Sequence, residues 1–290
     1  MKKTTRLREL VRSGKIAAVP GAHDPLTAKL IEREGFPALY LTGGGTTNAA
    51  IGMPEVGLTT MVERITIARA IAGAVAIPVI CDADDGYGGP LSVMRTVKGL
   101  EQAGVAAIHL EDQVPDKRRC GYMGGGELLP IDDMAIKIRA AIDARTDPDL
   151  MIIARVESLM TSGMDEVIAR GRAYAAAGAD MLFINGLTDM EQIRRIAGAF
   201  ETPQLFNVSS SGATPFVPLE ELQQLGFRIA IYPVFCLFAA VWNMQRLLRE
   251  LHQTGSVSGY KDRMIDFAQL NELLDIKKYQ QLEAKYQSAR

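Results

Sequence analysis

The sequence has almost no net charge and few cysteines. Its 290 residues include 32 Lys and Arg and 34 Asp and Glu, which gives a formal net charge of −2. This balance gives no indication of a nucleic-acid partner. The three cysteines, Cys81, Cys120 and Cys236, have no paired spacing. Scattered cysteines in odd number are more typical of a reducing compartment than of a disulfide scaffold, so we expect a cytoplasmic location.

Signal segments, membrane segments and common nucleotide motifs are also lacking. The charged, amphipathic start of the chain contains no apolar signal-peptide core. The most apolar run, residues 229–244, is interrupted by Pro233 and preceded by Arg228. This pattern favours a buried strand and helix over a membrane span, and we expect no membrane partner. No G-x-G-x-x-G follows a strand, and the glycine run 43–45 lacks the lysine of a P-loop, although its backbone N–H groups suit an anion.

What the sequence does contain is a repeated alternation of short apolar runs and longer helical patterns. The runs are nearly continuous, which is typical of parallel strands covered on both faces. Eight such units predict an α/β fold, a (β/α)8 barrel, rather than a doubly wound sheet. Glycine ends four of the helical segments just before the next run. The eight runs are residues 16–21, 38–44, 78–84, 106–112, 151–158, 181–187, 203–209 and 228–234, and the clearest helical patterns are 59–75, 91–104, 131–145 and 165–180.

The carboxy-terminal part of the chain is longer than one closing helix requires. We interpret residues 1–290 as a single barrel domain and residues 235–290 as additional helices of the same domain. The segment 235–255 is too apolar on one side to remain exposed to water. We therefore expect it to form an outer or intersubunit helix.

Acidic residues follow the third predicted strand. Asp82 and Asp84 are two positions apart, so on a strand their side chains share a face. An all-oxygen ligand set without a nearby histidine favours Mg²⁺ or Mn²⁺. Glu111 and Asp112, on the next strand, are placed to hold metal-bound waters. The alternative interpretation is a solvated acidic loop that binds no metal.

Two further residues have the chemistry of an active site. Cys120 follows the cationic residues 117–119 in a glycine-rich loop, and nearby cations lower a thiol pKa. It is therefore a candidate nucleophile or proton donor, or else an incidental thiol on a basic surface loop. Arg155 ends an apolar strand, where it can bind a carboxylate or pair with Glu157 or with an acid near Asp82. His109 lies inside a strand, and we expect a structural role for it.

Seven motifs together resemble one known family. In chain order they are YLTGGG, DADDGYGG, HLEDQ, RRCGY, ARVES, NVSSSGATP and IYP. The combination resembles the isocitrate lyase/phosphoenolpyruvate mutase superfamily, most closely its 2-methylisocitrate lyase and 2,3-dimethylmalate lyase branch, from about residue 16 to 245. The resemblance implies an α/β barrel, Mg²⁺ or Mn²⁺, and a homotetramer, a dimer of dimers, in which neighbouring subunits exchange a carboxy-terminal helix.

The resemblance also implies roles for individual residues. Matched by motif position, Asp82 and Asp84 are metal ligands, with Glu111 behind them. Cys120 protonates the departing carbanion, and Arg155 binds substrate. The implied substrate-binding residues are Tyr40, Thr42, Gly43, Gly44, Gly121, Tyr122, Asn185, Asn207 and Ser209.

Some positions depart from the family pattern. Tyr122 replaces a histidine, Asn185 replaces a glutamate and Phe238 replaces an arginine, while Arg118 stands for lysine and Glu55 for aspartate. Loss of one cation and one anion favours a substrate that is smaller or less charged than methylisocitrate, such as a substituted malate.

The sequence therefore predicts a metal-dependent carbon–carbon lyase. Its substrate is a 2-hydroxy di- or tricarboxylate, cleaved to a 2-oxo acid such as pyruvate plus a carboxylic acid. The general base remains open between Tyr40, a metal-bound water and Glu55. The alternatives are an oxaloacetate decarboxylase, a phosphoenolpyruvate or phosphonopyruvate mutase-type enzyme, and a non-catalytic metabolite-binding barrel.

Overall fold

Eight parallel strands form a closed barrel in the computed structural model, which describes residues 1–114, 126–210 and 214–287. Each strand pairs with its neighbour in sequence, and β8 closes the barrel against β1. The predicted (β/α)8 barrel is confirmed. The strands are β1 Ala17–Ala22, β2 Leu39–Leu41, β3 Val79–Asp82, β4 Ala107–Glu111, β5 Met151–Val156, β6 Met181–Ile184, β7 Gln204–Asn207 and β8 Ile229–Tyr232.

Helices follow the strands, and the four helical patterns read from the sequence correspond to α4, α5, α6 and α7. In the described residues the helices are α1 Lys3–Arg12, α2 Pro25–Arg33, α3 Gly43–Ile51, α4 Met61–Ala74, α5 Pro90–Ala103, α6 Ile131–Ala144, α7 Leu159–Ala176, α8 Met190–Ala197, α9 Leu219–Gln224, α10 Phe235–Thr254, α11 Phe267–Leu273 and α12 Ile276–Gln287, with a 3₁₀ helix at Ser258–Arg263. Glycine ends α5 at Gly104 with φ +89° and follows α7 at Gly178 with φ +103°. These left-handed conformations are favourable for glycine, so the predicted helix ends are confirmed.

Two layers of apolar side chains make up the core. Leu39, Leu41 and other strand residues pack outward against the helices. Tyr40, Ile80 and their equivalents on the remaining strands form a second cluster inside the barrel. Adjacent residues of a strand point to opposite faces, and both faces here are covered, which explains the nearly continuous apolar runs.

Helix α1 closes one end of the barrel. Its buried Leu7 and Val11 join the interior cluster. Arg8 of the same helix donates hydrogen bonds to the backbone oxygen of Pro148 at 2.9 Å and to Asp180 Oδ1 at 2.9 Å, just before β5 and β6. The amino-terminal ends of the strands are therefore covered, and the carboxy-terminal ends form the mouth where barrel enzymes place their sites.

The chain divides into two compact units, Met1–Cys236 and Leu237–Arg290. The first contains the barrel. The second contains the rest of α10, the 3₁₀ helix, α11 and α12, and it exposes large apolar side chains that include Phe238, Trp242 and Phe267. The single-domain interpretation and the exchange of residues 235–290 between subunits stay predictions. None of the helices in the described ranges is long and apolar enough to cross a membrane.

Candidate active site

Polar side chains from neighbouring strand ends meet at the barrel mouth. Arg155, from the end of β5, lies at their centre. Its Nη1 is 3.5 Å from Glu111 Oε2 on β4 and 3.9 Å from Asp82 Oδ2 on β3, and its Nε donates to Glu157. The three carboxylates are buried. The tertiary structure thus brings together Asp82, Glu111 and Arg155 as the sequence predicted, while their roles stay predictions.

Asp82 and Asp84, the two predicted metal ligands, are related by a turn of the chain and not by a shared strand face. Strand β3 ends at Asp82, and Asp84 has a left-handed φ of +52°, so the two residues do not share the face of a strand. That detail of the prediction was wrong, because the chain turns immediately after Asp82. The turn places the Asp84 N–H 3.0 Å from Asp82 Oδ1. Both carboxylates remain buried beside the mouth.

The glycine run forms the first turn of α3 rather than the end of a strand. Strand β2 stops at Leu41, and Thr42 caps α3 by accepting the Gly45 N–H at 3.3 Å. A Cβ atom at Gly43 would overlap the Asp82 carboxylate, and one at Gly44 would overlap the Glu55 carboxylate. The lack of a side chain therefore lets the backbone of Gly43 and Gly44 approach the two carboxylates closely. The backbone N–H groups at the N-terminus of α3 suit an anion.

A chain of amide and carboxylate groups crosses the ends of β5, β6 and β7. Asn185 Nδ2 donates to both oxygens of Glu157 at 3.1 Å, and Asn207 Nδ2 donates to Asn185 Oδ1 at 3.2 Å. Ser209 is buried two residues beyond Asn207. The sequence analysis treats Glu157 only as a partner of Arg155. Its position two residues after Arg155, just beyond the end of β5, was the signal that could have identified it.

Tyr40 and His109 form a hydrogen-bonded pair inside the barrel below the mouth. The Tyr40 hydroxyl lies 2.6 Å from His109 Nε2 and 3.4 Å from Asp82 Oδ2. Burial, reinforced by Asp82, raises the pKa of Tyr40 well above its usual value. Burial also lowers the pKa of His109 to about 4, although Asp82 opposes this shift. Both side chains are therefore neutral, and His109 Nδ1 has no hydrogen-bond partner among the described residues.

Buried acids outnumber buried bases among the described side chains at the mouth. Asp82, Asp84, Glu111 and Glu157 lie there with Arg64 and Arg155. Burial is the largest cause that raises the pKa of Glu111; Arg155 lowers it, and the nearby carboxylates raise it further. A divalent cation would stabilise the ionised form of these acids, since a nearby opposite charge favours a charged carboxylate.

The donor set fits a hard cation that retains water. The described residues contain no ready-made cluster of three or more His, Cys, Asp or Glu side chains around one point. Mg²⁺ does not need such a cage, because it binds through one or two carboxylates and keeps several waters. Asp82 and Asp84 supply oxygen donors of this kind. The fit therefore depends on donor type and on the clustering of buried carboxylates among the described residues.

Three predicted residues, Cys120, Gly121 and Tyr122, lie outside the described residues. The flanking chain is anchored next to β4. The Val114 N–H donates to Glu127 O and the Leu129 N–H donates to Asp112 O, both at 2.8 Å. The described residues Val114 and Glu127 are thus held next to the end of β4, and the proton-donor role of Cys120 stays a prediction.

Two buried cations near the site were missed by the sequence interpretation. Arg64 of α4 is 1% exposed and lies 3.5 Å from Asp84. Lys137 of α6 lies 3.5 Å from Asp85. Arg64 is spaced four and seven residues before Ala68 and Ile71, on the buried stripe of α4. A charge at a stripe position was the signal that could have identified it.

Sequence comparisons relate the chain to one family of enzymes. The family model described as phosphoenolpyruvate phosphomutase matches residues 7–252. The chain is 42% identical to 2,3-dimethylmalate lyase of Eubacterium barkeri over 290 residues, the whole of both chains. It is 36% identical to 2-methylisocitrate lyase of Shewanella oneidensis over 269 residues, covering 93% of this chain and 92% of the relative.

Solved structures show the same similarity. A crystal structure of 2,3-dimethylmalate lyase, described as a PEP mutase/isocitrate lyase superfamily member, matches with a TM-score of 0.93 at 35% identity, covering 99% and 96% of the two chains. Oxaloacetate acetylhydrolase in complex with 3,3-difluorooxalacetate matches at 0.93 and 32%, covering 98% and 97%. Phosphonopyruvate hydrolase in complex with oxalate and Mg²⁺ matches at 0.89 and 30%, covering 99% of each chain.

Proposed function

The chain belongs to the phosphoenolpyruvate mutase/isocitrate lyase superfamily, and from this premise we propose that it is a divalent-metal-dependent carbon–carbon lyase. The proposed substrate is a 2-hydroxy dicarboxylate of the substituted-malate type, cleaved to a 2-oxo acid such as pyruvate and a carboxylic acid. The observation that carries the proposal is the cluster of buried carboxylates at the mouth, beside a helix N-terminus and Arg155. The full-length match to 2,3-dimethylmalate lyase supports the substrate class.

Asp82 and Asp84 would hold Mg²⁺ or Mn²⁺, with Glu111 behind them. When bound, the ion would supply Lewis-acid polarisation and acidify the 2-hydroxyl group. The side chains that surround these acids position them. Arg155 lies against Asp82 and Glu111, and the Asp84 backbone N–H binds Asp82.

Substrate binding relies on two anion sites at the mouth. The N–H groups in the first turn of α3 bind one carboxylate, and the close packing of Gly43 against Asp82 keeps that carboxylate next to the acids. Asn207 and Ser209 bind the other carboxylate. Arg155 neutralises charge that develops between them, in a buried setting where such a contact is strong.

Cleavage requires removal of one proton and delivery of another. Loss of the 2-hydroxyl proton lets its electron pair form the 2-oxo group while the C2–C3 bond breaks. The bonding electrons leave on C3 as the enolate of the carboxylic acid, and Cys120 protonates that carbon. The raised pKa of Tyr40 disfavours it as the base. We propose Glu55, whose carboxylate lies against Gly44, as the acceptor.

Asn185 supplies no charge that would balance an additional carboxylate of the substrate. Its Nδ2 is bonded to both oxygens of Glu157, and its Oδ1 accepts from Asn207. A neutral amide held in this position neither repels nor neutralises an additional carboxylate. A dicarboxylate with alkyl substituents therefore suits this part of the site better than a tricarboxylate.

A substrate screen tests the proposal. Substituted malates, methylisocitrate, oxaloacetate and phosphonopyruvate are each incubated with the full-length chain and Mg²⁺ or Mn²⁺, and release of 2-oxo acid, oxalate and phosphate is measured. We expect 2-oxo-acid release from a substituted malate. Turnover of only oxaloacetate or phosphonopyruvate, or binding of pyruvate and oxalate without any turnover, overturns it.

The proposal includes a cytoplasmic homotetramer. The exposed apolar residues of α10, which include Phe238, Trp242 and Leu248, support burial of this helix against another subunit. Light scattering coupled to size exclusion tests the assembly, and a monomer at micromolar concentration contradicts it.

A further inference from the structure

Arg64 contacts both halves of the proposed binding site without belonging to either. We propose that Arg64, together with Tyr87, is a positioning residue that fixes the first turn of α3 relative to the turn that carries Asp82 and Asp84. The inference rests on the proposed function, because it takes Asp84 as part of a metal site and the α3 turn as a carboxylate site. Arg64 acts through these groups and touches no substrate.

The first set of contacts reaches α3. Arg64 Nη1 and Nη2 lie 3.4 Å and 3.3 Å from the carbonyl oxygen of Gly43, and Nη1 also donates to the hydroxyl of Thr46. Thr46 in turn donates to the carbonyl oxygens of Thr42 at 2.8 Å and Gly43 at 2.9 Å. One guanidinium group therefore holds the turn whose N–H groups would bind the substrate carboxylate.

The second set of contacts reaches the acidic turn. Arg64 Nε donates to the Tyr87 hydroxyl at 3.1 Å, and that hydroxyl donates to Asp84 Oδ2 at 2.8 Å. Arg64 Nη2 lies 3.5 Å from the same oxygen of Asp84. Tyr87 has a left-handed φ of +62°, unusual for a residue with a side chain. These contacts explain why Tyr87 is held in that conformation.

The geometry of the guanidinium group is required as well as its charge. Arg64 is 1% exposed, and it donates in two directions from one plane, toward Gly43 with its Nη atoms and toward Tyr87 with Nε. A lysine ammonium at this position carries the same charge but has no fork with which to reach both turns. Arg64→Lys therefore separates positioning from electrostatics.

The chain contains a second Arg–Tyr–Asp cluster that serves as a matched control. Arg170 Nη1 donates to the Tyr174 hydroxyl at 3.0 Å and to Asp112 Oδ2 at 3.0 Å, and Tyr174 donates to Asp112 Oδ2 at 2.8 Å. This cluster has the same chemistry as Arg64, Tyr87 and Asp84. Its carboxylate belongs to neither of the two turns that Arg64 connects.

The experiment compares four full-length variants with the parent protein. Arg64→Lys and Tyr87→Phe test the inference, and Arg170→Lys and Tyr174→Phe are the controls. Mn²⁺ affinity is measured by titration of the metal-free protein, oxalate affinity is measured at saturating Mn²⁺, and thermal unfolding is recorded for all. We expect the first pair to bind Mn²⁺ about 10- to 100-fold more weakly, the range found when residues behind metal ligands are changed, and to bind oxalate more weakly.

The controls distinguish positioning from general loss of stability. Arg170→Lys and Tyr174→Phe should lower the melting temperature but keep parental Mn²⁺ and oxalate affinities. Parental Mn²⁺ affinity in Tyr87→Phe and Arg64→Lys overturns the inference, as does an equal loss in the controls. If Arg64→Lys does not fold, Tyr87→Phe alone decides between these results. Failure of the parent protein to bind Mn²⁺ or oxalate instead overturns the proposed function.

Discussion

Replacement of Arg170 by methionine should destabilise the barrel strongly. Arg170 Nη1 donates to Asp112 Oδ2 at 3.0 Å and to Leu129 O at 2.9 Å, and Asp112 is fully buried. The methionine side chain fills a similar volume but leaves the Asp112 carboxylate without its cation. Breaking a buried ion pair from one side costs about 3–5 kcal/mol. Asp112 Oδ1 also accepts the Glu157 N–H at 2.9 Å. This bond should persist in the variant, because the carboxylate itself is retained.

The measurement is urea unfolding followed by far-UV circular dichroism. Fluorescence is unsuitable because the chain has one tryptophan, Trp242, which lies in the second compact unit and not in the barrel unit. A change from Arg170 to methionine should lower the free energy of unfolding by about 3–5 kcal/mol. Adding Asp112→Asn to this variant should recover about 2 kcal/mol, because the unpaired charge is removed.

An exposed ion pair provides the control for this prediction. Arg195 pairs with Asp165, and the two side chains are 51% and 92% exposed. Arg195→Met should leave the free energy of unfolding almost unchanged, since such pairs are screened by solvent. The reasoning is refuted if Arg170→Met and Arg195→Met destabilise equally, or if Asp112→Asn gives no recovery.

Three further predictions concern the site. Gly43→Ala should weaken Mn²⁺ binding about 10- to 100-fold, because the new Cβ displaces the Asp82 carboxylate. Gly73→Ala is the control and should bind Mn²⁺ normally, because an added Cβ there meets nothing within 4 Å. Equal Mn²⁺ affinities of the two variants contradict the packing argument. Cys120→Ser should abolish cleavage of a substituted malate while oxalate binding persists, and full turnover in a 2-oxo-acid assay rules out the proton-donor role. EDTA should abolish 2-oxo-acid release and added Mg²⁺ or Mn²⁺ should restore it, so release by the metal-free protein contradicts the metal assignment.

Much of the fold was predictable because it depends on local pattern. Strands of a parallel barrel are buried on both faces, so the runs around Leu39, Ile80 and Ile153 are apolar without interruption. Helix ends were visible for the same kind of reason, since Gly104 and Gly178 supply the left-handed conformation that follows a helix.

The strand-end residues of the site were also predictable. In a parallel barrel all carboxy-terminal strand ends lie at one mouth. Polar residues that follow apolar runs, such as Asp82, Glu111 and Arg155, must therefore come close to one another. The motif resemblance added roles for these residues that strand position alone does not supply.

Other features depend on the turns between elements and could not be read from spacing. Asp84 was expected on the strand face of Asp82, but the left-handed turn after β3 changes how they meet. Likewise, the Tyr40–His109 hydrogen bond joins residues 69 positions apart. Such contacts follow from the register of neighbouring strands, which the local pattern does not encode.

The sequence by itself determined the barrel, its open mouth and the set of acids there, because periodicity and strand polarity require no knowledge of long-range contacts. The tertiary structure alone decided which cations stand beside those acids. Arg64 comes from α4, and it reaches both Gly43 and Asp84 only because the fold brings α4 close to the first turn of α3 and to the turn after β3. A long side chain selects its partner by the packing of the element that carries it, and that packing is not a local property of the chain.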